Sequence, residues 1–172
     1  MRMSWQYRLA AAGDVDALRQ LIMEHGPNPW NWLPADGVEE SLRQVAAGEA
    51  WAALFERDGL LGAAILYRMQ DRFPQYRPDG IAAEAAGYIM EAVVRRDQAG
   101  QGLGSLLLQQ ACDDLAERGA RWVAADRHEE NAASGGMMRK AGFAELASFD
   151  DWERRAGGSR RSTVCGRALT TR

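Results

Sequence analysis

Apolar residues recur along the chain with two different periods, one typical of strands and one typical of helices. The spacings predict seven strands and four helices in the order β-α-α-β-β-β-α-β-α-β-β, with an antiparallel hairpin turn at 57–59. This order indicates the α+β class, with a mixed, mostly antiparallel central sheet flanked by helices. The predicted strands are 7–10, 51–56, 60–67, 88–94, 122–125, 143–149 and 162–169, and the predicted helices are 15–25, 38–47, 105–118 and 131–141.

Three segments between these elements are predicted as loops. Gly26 to Pro29 ends the first helix, for which Asp14 is the predicted N-cap, and an aromatic loop follows. The irregular segment 70–84 is long for a compact domain, which is typical of functional or mobile loops. The charged segment 151–161 contains glycine and is predicted as a turn or mobile loop.

Composition restricts the class of protein. The 172 residues suggest one domain, 1–172, with a core that needs neither a disulfide nor a metal. A net charge of -3 does not indicate a nucleic-acid partner, and no stretch is apolar and long enough to suggest a membrane partner. Two cysteines are too few for a disulfide framework, so we expect a reducing, cytoplasmic location. The two histidines, His25 and His128, lie far apart in sequence, so no metal site is predicted.

The most informative segment is the glycine-rich turn Gly100-Gln101-Gly102-Leu103-Gly104-Ser105. It joins the predicted strand 88–94 to the predicted helix 105–118. Glycines there let the backbone approach a ligand closely, and the first N–H groups of the helix have no partner within the helix. Because the positive end of the helix dipole lies at the same place, the turn predicts a site for phosphate or pyrophosphate.

Two blocks of sequence resemble motifs of the GNAT superfamily of N-acetyltransferases. The family motif Q/R-x-x-G-x-G/A corresponds to 99–104, and a second block, an Asn followed by a short helix and Gly-Phe, corresponds to 131–143. The order of elements also fits this family over nearly the whole chain. The resemblance implies acetyl-CoA as cosubstrate and a central strand that lends a backbone N–H to the thioester carbonyl. The cofactor-binding residues that it implies are Ala92, Val93, Val94, Ala99, Gly100, Gln101, Gly102, Leu103, Gly104, Ser105 and Asn131.

Two positions depart from the family pattern. Ala99 stands where the family has Gln or Arg, although Gln98 is adjacent, and the backbone cradle is retained. Met138 stands where the family often has a Tyr that protonates the departing thiolate, and a thioether cannot donate a proton. Asn131 is predicted as the N-cap of the short helix and, by resemblance, as a contact of the pantetheine arm.

Acetyl transfer to an amine needs a group that accepts a proton from the amine. Glu91, an acid within an otherwise apolar strand, is the candidate catalytic base, and a solvent-facing or salt-bridged glutamate is the alternative. Ser134 is the candidate acid because it shares a helix face with Met138, and a structural cap is its alternative role. Tyr88 and His128 are further candidates, and water or the attacking ammonium can also supply the proton.

In the family that the chain resembles, the acceptor site is built from the early helix loop and the segment before the central strand. Aromatic and basic side chains there can stack on an acceptor or bind its carboxylate, whereas core packing and solvation are the alternatives. The aromatic loops also favour a homodimer. The candidate substrate-binding residues are Trp30, Trp32, Arg72, Phe73 and Tyr76, with Asn31, Asp71 and Arg77 beside them.

Other phosphate-binding motifs fit less well. A dinucleotide-binding Rossmann motif requires glycine where Ser105 stands, and a P-loop requires Gly-Lys-Ser/Thr, whereas Lys140 is the only lysine. An acyl-CoA-binding sensor without transferase activity is the alternative that Ala99 and Met138 favour. The preferred prediction is an N-acetyltransferase that acts on a primary amine of a small molecule or peptide.

Overall fold

The computed structural model describes residues 4–31, 33–69 and 73–170. The strands are β1 (Gln6–Leu9), β2 (Trp51–Arg57), β3 (Leu60–Met69), β4 (Ala86–Val94), β5 (Trp122–His128), β6 (Ala144–Asp150) and β7 (Arg161–Ala168). The α-helices are α1 (Val15–His25), α2 (Ala35–Ala46), α3 (Leu103–Glu117) and α4 (Ala132–Lys140). The strands form one sheet in the order β1-β2-β3-β4-β5-β7-β6, in which β4 and β5 are parallel and the other neighbours antiparallel. The predicted α+β class and order of elements are confirmed.

Helices cover both faces of the sheet. Leu18 of α1 and Leu42 of α2 pack with Leu66 on one face, which we call the front face. Leu108 of α3 packs with Ile65 on the opposite, back face. The apolar positions of each helix recur on one side, and this stripe is what the sheet buries. None of the helices within the described residues is long and apolar enough to cross a membrane.

The start of α2 and the role of the Asp14 side chain differ from the sequence prediction, whereas α1 begins at Val15 as predicted. Helix α2 begins at Ala35 rather than at 38, because Pro34 has the extended backbone of an N-cap residue. Asp14 does lie at the N-cap of α1, but its carboxylate does not cap that helix. It accepts a hydrogen bond from the Ala11 N–H (2.7 Å) and pairs with Arg8 (2.7 Å). The side chain therefore ties β1 to the turn before α1.

Strand β4 carries a β-bulge. Glu91 lies opposite Leu66 of β3, whereas the next pair along the ladder joins Ile89 to Tyr67. Met90 is therefore an extra residue that has no partner on β3. A bulge interrupts the alternation of side chains between the two faces of a strand.

The bulge and the parallel ladder together open the sheet. Ala92 packs on the back face, whereas Met90 and Glu91 both lie on the front face. The β4–β5 ladder ends where Tyr88 lies opposite Ala124. Beyond this pair β5 continues alongside β7, and a gap separates it from β4.

Candidate active site

A cleft of about 790 Å³ opens where β4 and β5 separate. Its walls come from both strands, the glycine-rich turn, the first turns of α4, the α1–α2 loop and the β6–β7 loop. Because residues of both faces line it, the cleft passes through the sheet. It gives a ligand on the back face and a ligand on the front face access to the same point.

The glycine-rich turn forms the back end of the cleft. Gly100 and Gly102 have φ of 83° and 76°, which side chains disfavour, and Gly102 is the N-cap of α3. The first hydrogen bond of the helix joins the Leu106 N–H to the Gly102 carbonyl (3.1 Å). The N–H groups of residues 103–105 therefore have no acceptor within the helix. A Cβ on Gly104 would lie 2.1 Å from Met137 Sδ, so this glycine lets α3 and α4 touch. The N–H groups at the start of α3 are the donors that the sequence predicts for a phosphate.

Side chains hold the turn from outside. Gln101 donates from Nε2 to Gln98 Oε1 (2.8 Å) and accepts from Trp5 Nε1 (3.1 Å). The Gln98 side chain is thus part of the support of the turn. Ala99 also lines the cleft. The turn keeps its backbone donors although Ala99 lacks the polar side chain of the family motif.

The N-terminus of α4 faces the same end of the cleft. Asn131 Oδ1 accepts from the Ser134 N–H (3.2 Å), which confirms the predicted N-cap. Ser105 donates from Oγ to the Met137 carbonyl (3.1 Å) and so joins α3 to α4. Met138 is buried in the core and also lines the cleft. Ser134 is therefore the hydroxyl of α4 that lies at the cleft wall.

Glu91 lies where the cleft reaches the front face. Burial raises the pKa of its carboxyl from 4.5 to about 7, although hydrogen bonds from the Asn31 side chain and the Ala92 N–H favour the ionised form. The positive charge of Arg155 acts in the same direction and the negative charge of Asp126 opposes it. A carboxyl with this pKa exchanges protons near neutral pH.

The backbone of β4 presents N–H groups to the gap. The Arg95 N–H donates to Gly62 of β3 (2.8 Å), so by alternation the Val93 N–H also faces β3 and those of Ala92 and Val94 face the opposite side. The Val93 side chain packs on the front face among the residues under α1 and α2. Ala92 and Val94 thus match the expected place of a carbonyl donor, whereas Val93 does not line the cleft.

Aromatic and acidic side chains form the front end. Trp30 packs against His128 in a tilted arrangement, with ring centroids 4.9 Å apart. His128 accepts the Glu130 N–H at Nδ1 (3.0 Å), so its Nε2 carries the proton and donates to the Gly157 carbonyl (2.7 Å). Both ring nitrogens are occupied, and His128 is part of the support of the site. The Tyr88 hydroxyl donates to Asp126 (3.1 Å), and burial raises its pKa well above the ordinary value.

The β6–β7 loop covers this front end. Residues 151–160 contain the predicted turns. Ion pairs hold this loop, since Arg154 reaches Asp126 (2.6 Å) and Asp151 (2.9 Å). A Cβ on Gly158 would lie 2.7 Å from the Trp30 ring, so the loop also touches the α1–α2 loop. Glu153, Arg154 and Arg155 line the cleft.

The structure brings most of the predicted residues together. Of the candidate substrate-binding residues, Trp30 lines the cleft. Tyr76 is buried and stacks on Phe73 (ring centroids 5.1 Å apart), and neither residue lines the cleft. Trp32 and Arg72 lie outside the described residues. The predicted residues that line the cleft are Glu91, Ser134, Ala92, Val94, Ala99, Gly100, Gln101, Gly102, Leu103, Gly104, Ser105, Asn131 and Trp30.

Sequence reasoning did not identify Asp126, Arg154 and Arg155 as site residues. Asp126 follows the apolar run of a strand, which is a usable signal for a residue at a sheet opening. The two arginines lie in a charged loop whose sequence does not indicate its partners. Among the described residues no group of three His, Cys, Asp or Glu side chains is placed to hold a metal ion.

The fold and the cleft together define an enzyme of the acyl-CoA N-acyltransferase class. The sequence profile of the Acetyltransferase (GNAT) family matches residues 15–143, and the chain belongs to this family. Its membership confirms the expected activity class, an acetyl-CoA-dependent N-acetyltransferase with acetyl-CoA as cosubstrate. A comparison with curated protein sequences gives no match.

Solved structures share the whole fold at low sequence identity. A ribosomal-protein-alanine N-acetyltransferase from Brucella melitensis has 20% identity and a TM-score of 0.73, over 95% of this chain and 99% of that one. An N-acetyltransferase from Staphylococcus aureus Mu50 has 14% identity and a TM-score of 0.77, over 98% and 100%. The yncA acetyltransferase from Salmonella typhimurium, solved with its cofactor acetyl-CoA, has 19% identity and a TM-score of 0.76, over 99% and 96%.

Proposed function

We propose that this chain transfers an acetyl group from acetyl-CoA to a primary amine of a small molecule or peptide, by direct attack of the amine. The observation that carries the proposal is the carboxyl of Glu91, which lies at the opening between β4 and β5 with a pKa of about 7. A group with this pKa accepts a proton from an ammonium near neutral pH and returns it to water.

The chain has the parts that bind and orient acetyl-CoA. The N–H groups of residues 103–105 and the helix dipole suit the pyrophosphate. The cleft continues past Asn131 to the gap, where the Val94 N–H suits the thioester carbonyl, whereas the Ala92 N–H donates to the Glu91 carboxyl. Acetyl-CoA supplies the activated acetyl group, and the chain holds it beside the amine in attack geometry.

Each proton has a candidate carrier. Glu91 accepts the proton that the amine loses, and the Asn31 side chain holds the Glu91 carboxylate in place. Ser134 is the proposed donor to the departing sulfur, because it faces the cleft. Tyr88 and His128 are less suited, since the Tyr88 hydroxyl is bound to Asp126 and both His128 nitrogens are occupied.

Thiol release from acetyl-CoA in the presence of an amine panel tests the proposal. We expect release with at least one amine, together with a rise in the melting temperature when acetyl-CoA is added. A rise in melting temperature without release by any amine would support the alternative, an acyl-CoA sensor, which Met138 and Ala99 favour. Cys112 and Cys165 are free and buried, which suits the cytoplasm as the proposed location.

The size of the acceptor and the oligomeric state are also part of the proposal. The structurally similar Brucella melitensis protein is a ribosomal-protein-alanine N-acetyltransferase, so the proposal includes a peptide acceptor. The homodimer that the aromatic loops favour in the sequence stays a prediction. Trp30 gives it little support, because its ring packs against His128 and the β6–β7 loop of the same chain.

A further inference from the structure

Two loops form the front end of the cleft and touch each other. The α1–α2 loop contributes Trp30 and Asn31, and the β6–β7 loop contributes Arg154 and Arg155. Gly158 of the β6–β7 loop lies against Trp30 of the α1–α2 loop, and the Ser159 N–H donates to Glu130 between β5 and α4 (2.7 Å). An acceptor bound here meets walls on both sides, which suits a small molecule.

The charge of Arg154 is balanced by protein groups. Its Nε and Nη2 contact Asp151 (2.9 Å each), and Nη2 also reaches Asp126 (2.6 Å) and the Tyr76 hydroxyl (3.1 Å). Burial raises the free-energy cost of separating these charges. Arg154 therefore holds the loop on β5.

Arg155 is bound differently. It is 9% exposed, and its Nε donates to Ser162 Oγ (2.8 Å). Its nearest carboxylate oxygen is Asp126 Oδ1, which lies 3.7 Å from Nη2, beyond hydrogen-bond distance. Within residues 4–31, 33–69 and 73–170, no hydrogen bond is formed by either terminal nitrogen of Arg155. The terminal nitrogens of Arg155 thus form only a long ion pair with Asp126 and lie at the cleft wall, where their N–H groups can bind an anion.

The position of this cation relative to Glu91 limits the ligand. Both side chains line the front end, and Arg155 is close enough to act on the Glu91 carboxyl. An amine that gives its proton to Glu91 thus has a guanidinium nearby. Of the two arginines expected to bind an acceptor carboxylate, Arg77 donates to the Ile81 carbonyl, and Arg72 lies outside the described residues.

We infer that the acceptor is a free α-amino acid, whose α-carboxylate pairs with the terminal nitrogens of Arg155 while its α-amine lies at Glu91. This inference rests on the proposed function for its amine site. It separates free amino acids from peptides, because a peptide N-terminus has an amide where an amino acid has its carboxylate.

The test compares standard L-α-amino acids with their α-amides, which keep the amine and side chain and lack the charge. For the best acceptor we expect kcat/KM to fall about 10- to 100-fold in the amide, the range for a charge-assisted pair. Arg155→Gln is expected to raise KM for the acid by a similar factor and to leave KM for the amide within about twofold. Arg155→Lys keeps the charge without the planar fork and is expected to recover part of the loss.

Binding without turnover keeps the inference separate from the proposed function. Calorimetric titration of the CoA-saturated protein with acid and amide reports the acceptor site directly. Arg155-dependent binding of the acid without acetylation would contradict the proposed function and support the inference. Equal binding of acid and amide, a peptide or simple amine as the preferred acceptor, or no binding of any amino acid would overturn the inference. Arg121→Gln, at an exposed site before β5, is the matched control for loss of one charge, and melting temperatures check that each variant folds.

Discussion

Replacement of Glu91 by Gln tests the catalytic assignment and its physical cause together. Because the pKa of Glu91 is about 7, roughly one-tenth of the wild-type protein has the ionised base at pH 6 and roughly nine-tenths at pH 8. We therefore expect kcat to rise about tenfold between these values in the wild type. Glutamine cannot accept the proton, so Glu91→Gln should lower kcat at pH 8 by about 100-fold or more. It should also abolish the rise of kcat between pH 6 and pH 8.

The same substitution has a consequence for stability that does not depend on catalysis. Since the folded-state pKa of Glu91 is above its ordinary 4.5, the folded protein binds more protons than the unfolded chain between pH 4.5 and about 7. Wild-type stability should therefore fall as pH rises through this window, by an amount on the order of 3 kcal/mol for this carboxyl. Glu91→Gln should lack this fall, which urea unfolding at pH 4.5 and pH 8 would measure.

Two variants complete the design. Asn31→Ala removes a hydrogen bond that favours the ionised Glu91 carboxyl. The rise of kcat with pH should therefore keep its shape and occur at higher pH than in the wild type. Glu24→Gln, on the exposed side of α1, is the matched control and should change neither the pH dependence of kcat nor that of stability. An unchanged pH limb in Glu91→Gln would show that another group is the base, and an unchanged stability window would show that the carboxyl is not buried as described.

Three further substitutions test the supports of the cleft. Gly104→Ala places a methyl against Met137 and should destabilise the fold by about 1–3 kcal/mol and weaken acetyl-CoA binding. Adding Met137→Ala should recover part of both losses. Thermal unfolding with and without acetyl-CoA measures both effects. Asn131→Ala removes the N-cap of α4 and should cost about 1 kcal/mol in urea unfolding, whereas Asn131→Ser should recover most of it. Asp126→Asn removes the charge that Arg154 pairs with and should free the β6–β7 loop, seen as faster amide hydrogen exchange at 151–160 than in the wild type.

The parts of the site that depend on local sequence were predictable. The turn at 100–105 needs only positive φ, helix dipole and free N–H groups, and all three are local properties of a strand–glycine–helix sequence. The N-cap at Asn131 is local in the same sense. By contrast, the β6–β7 loop is fixed by partners far along the chain, such as Asp126 for Arg154 and Glu130 for Ser159. A sequence window around 151–161 contains the charges but not those partners.

The bulge at Met90 shows most clearly what a residue pattern lacks. In a continuous apolar run the sequence does not indicate which face of the sheet each side chain occupies. Strict alternation along β4 would place Glu91 on the same face as Ile89, under α3. The extra residue instead turns Glu91 to the front face, where it meets Asn31, while Ala92 and Val94 keep their N–H groups toward the gap. One inserted residue thus places the acid that serves the amine on the front face, while the Val94 N–H at the gap stays available to the thioester. We expect the function of Glu91 to depend on this register as much as on its carboxyl, because without the bulge the same side chain would lie on the cofactor side of the sheet.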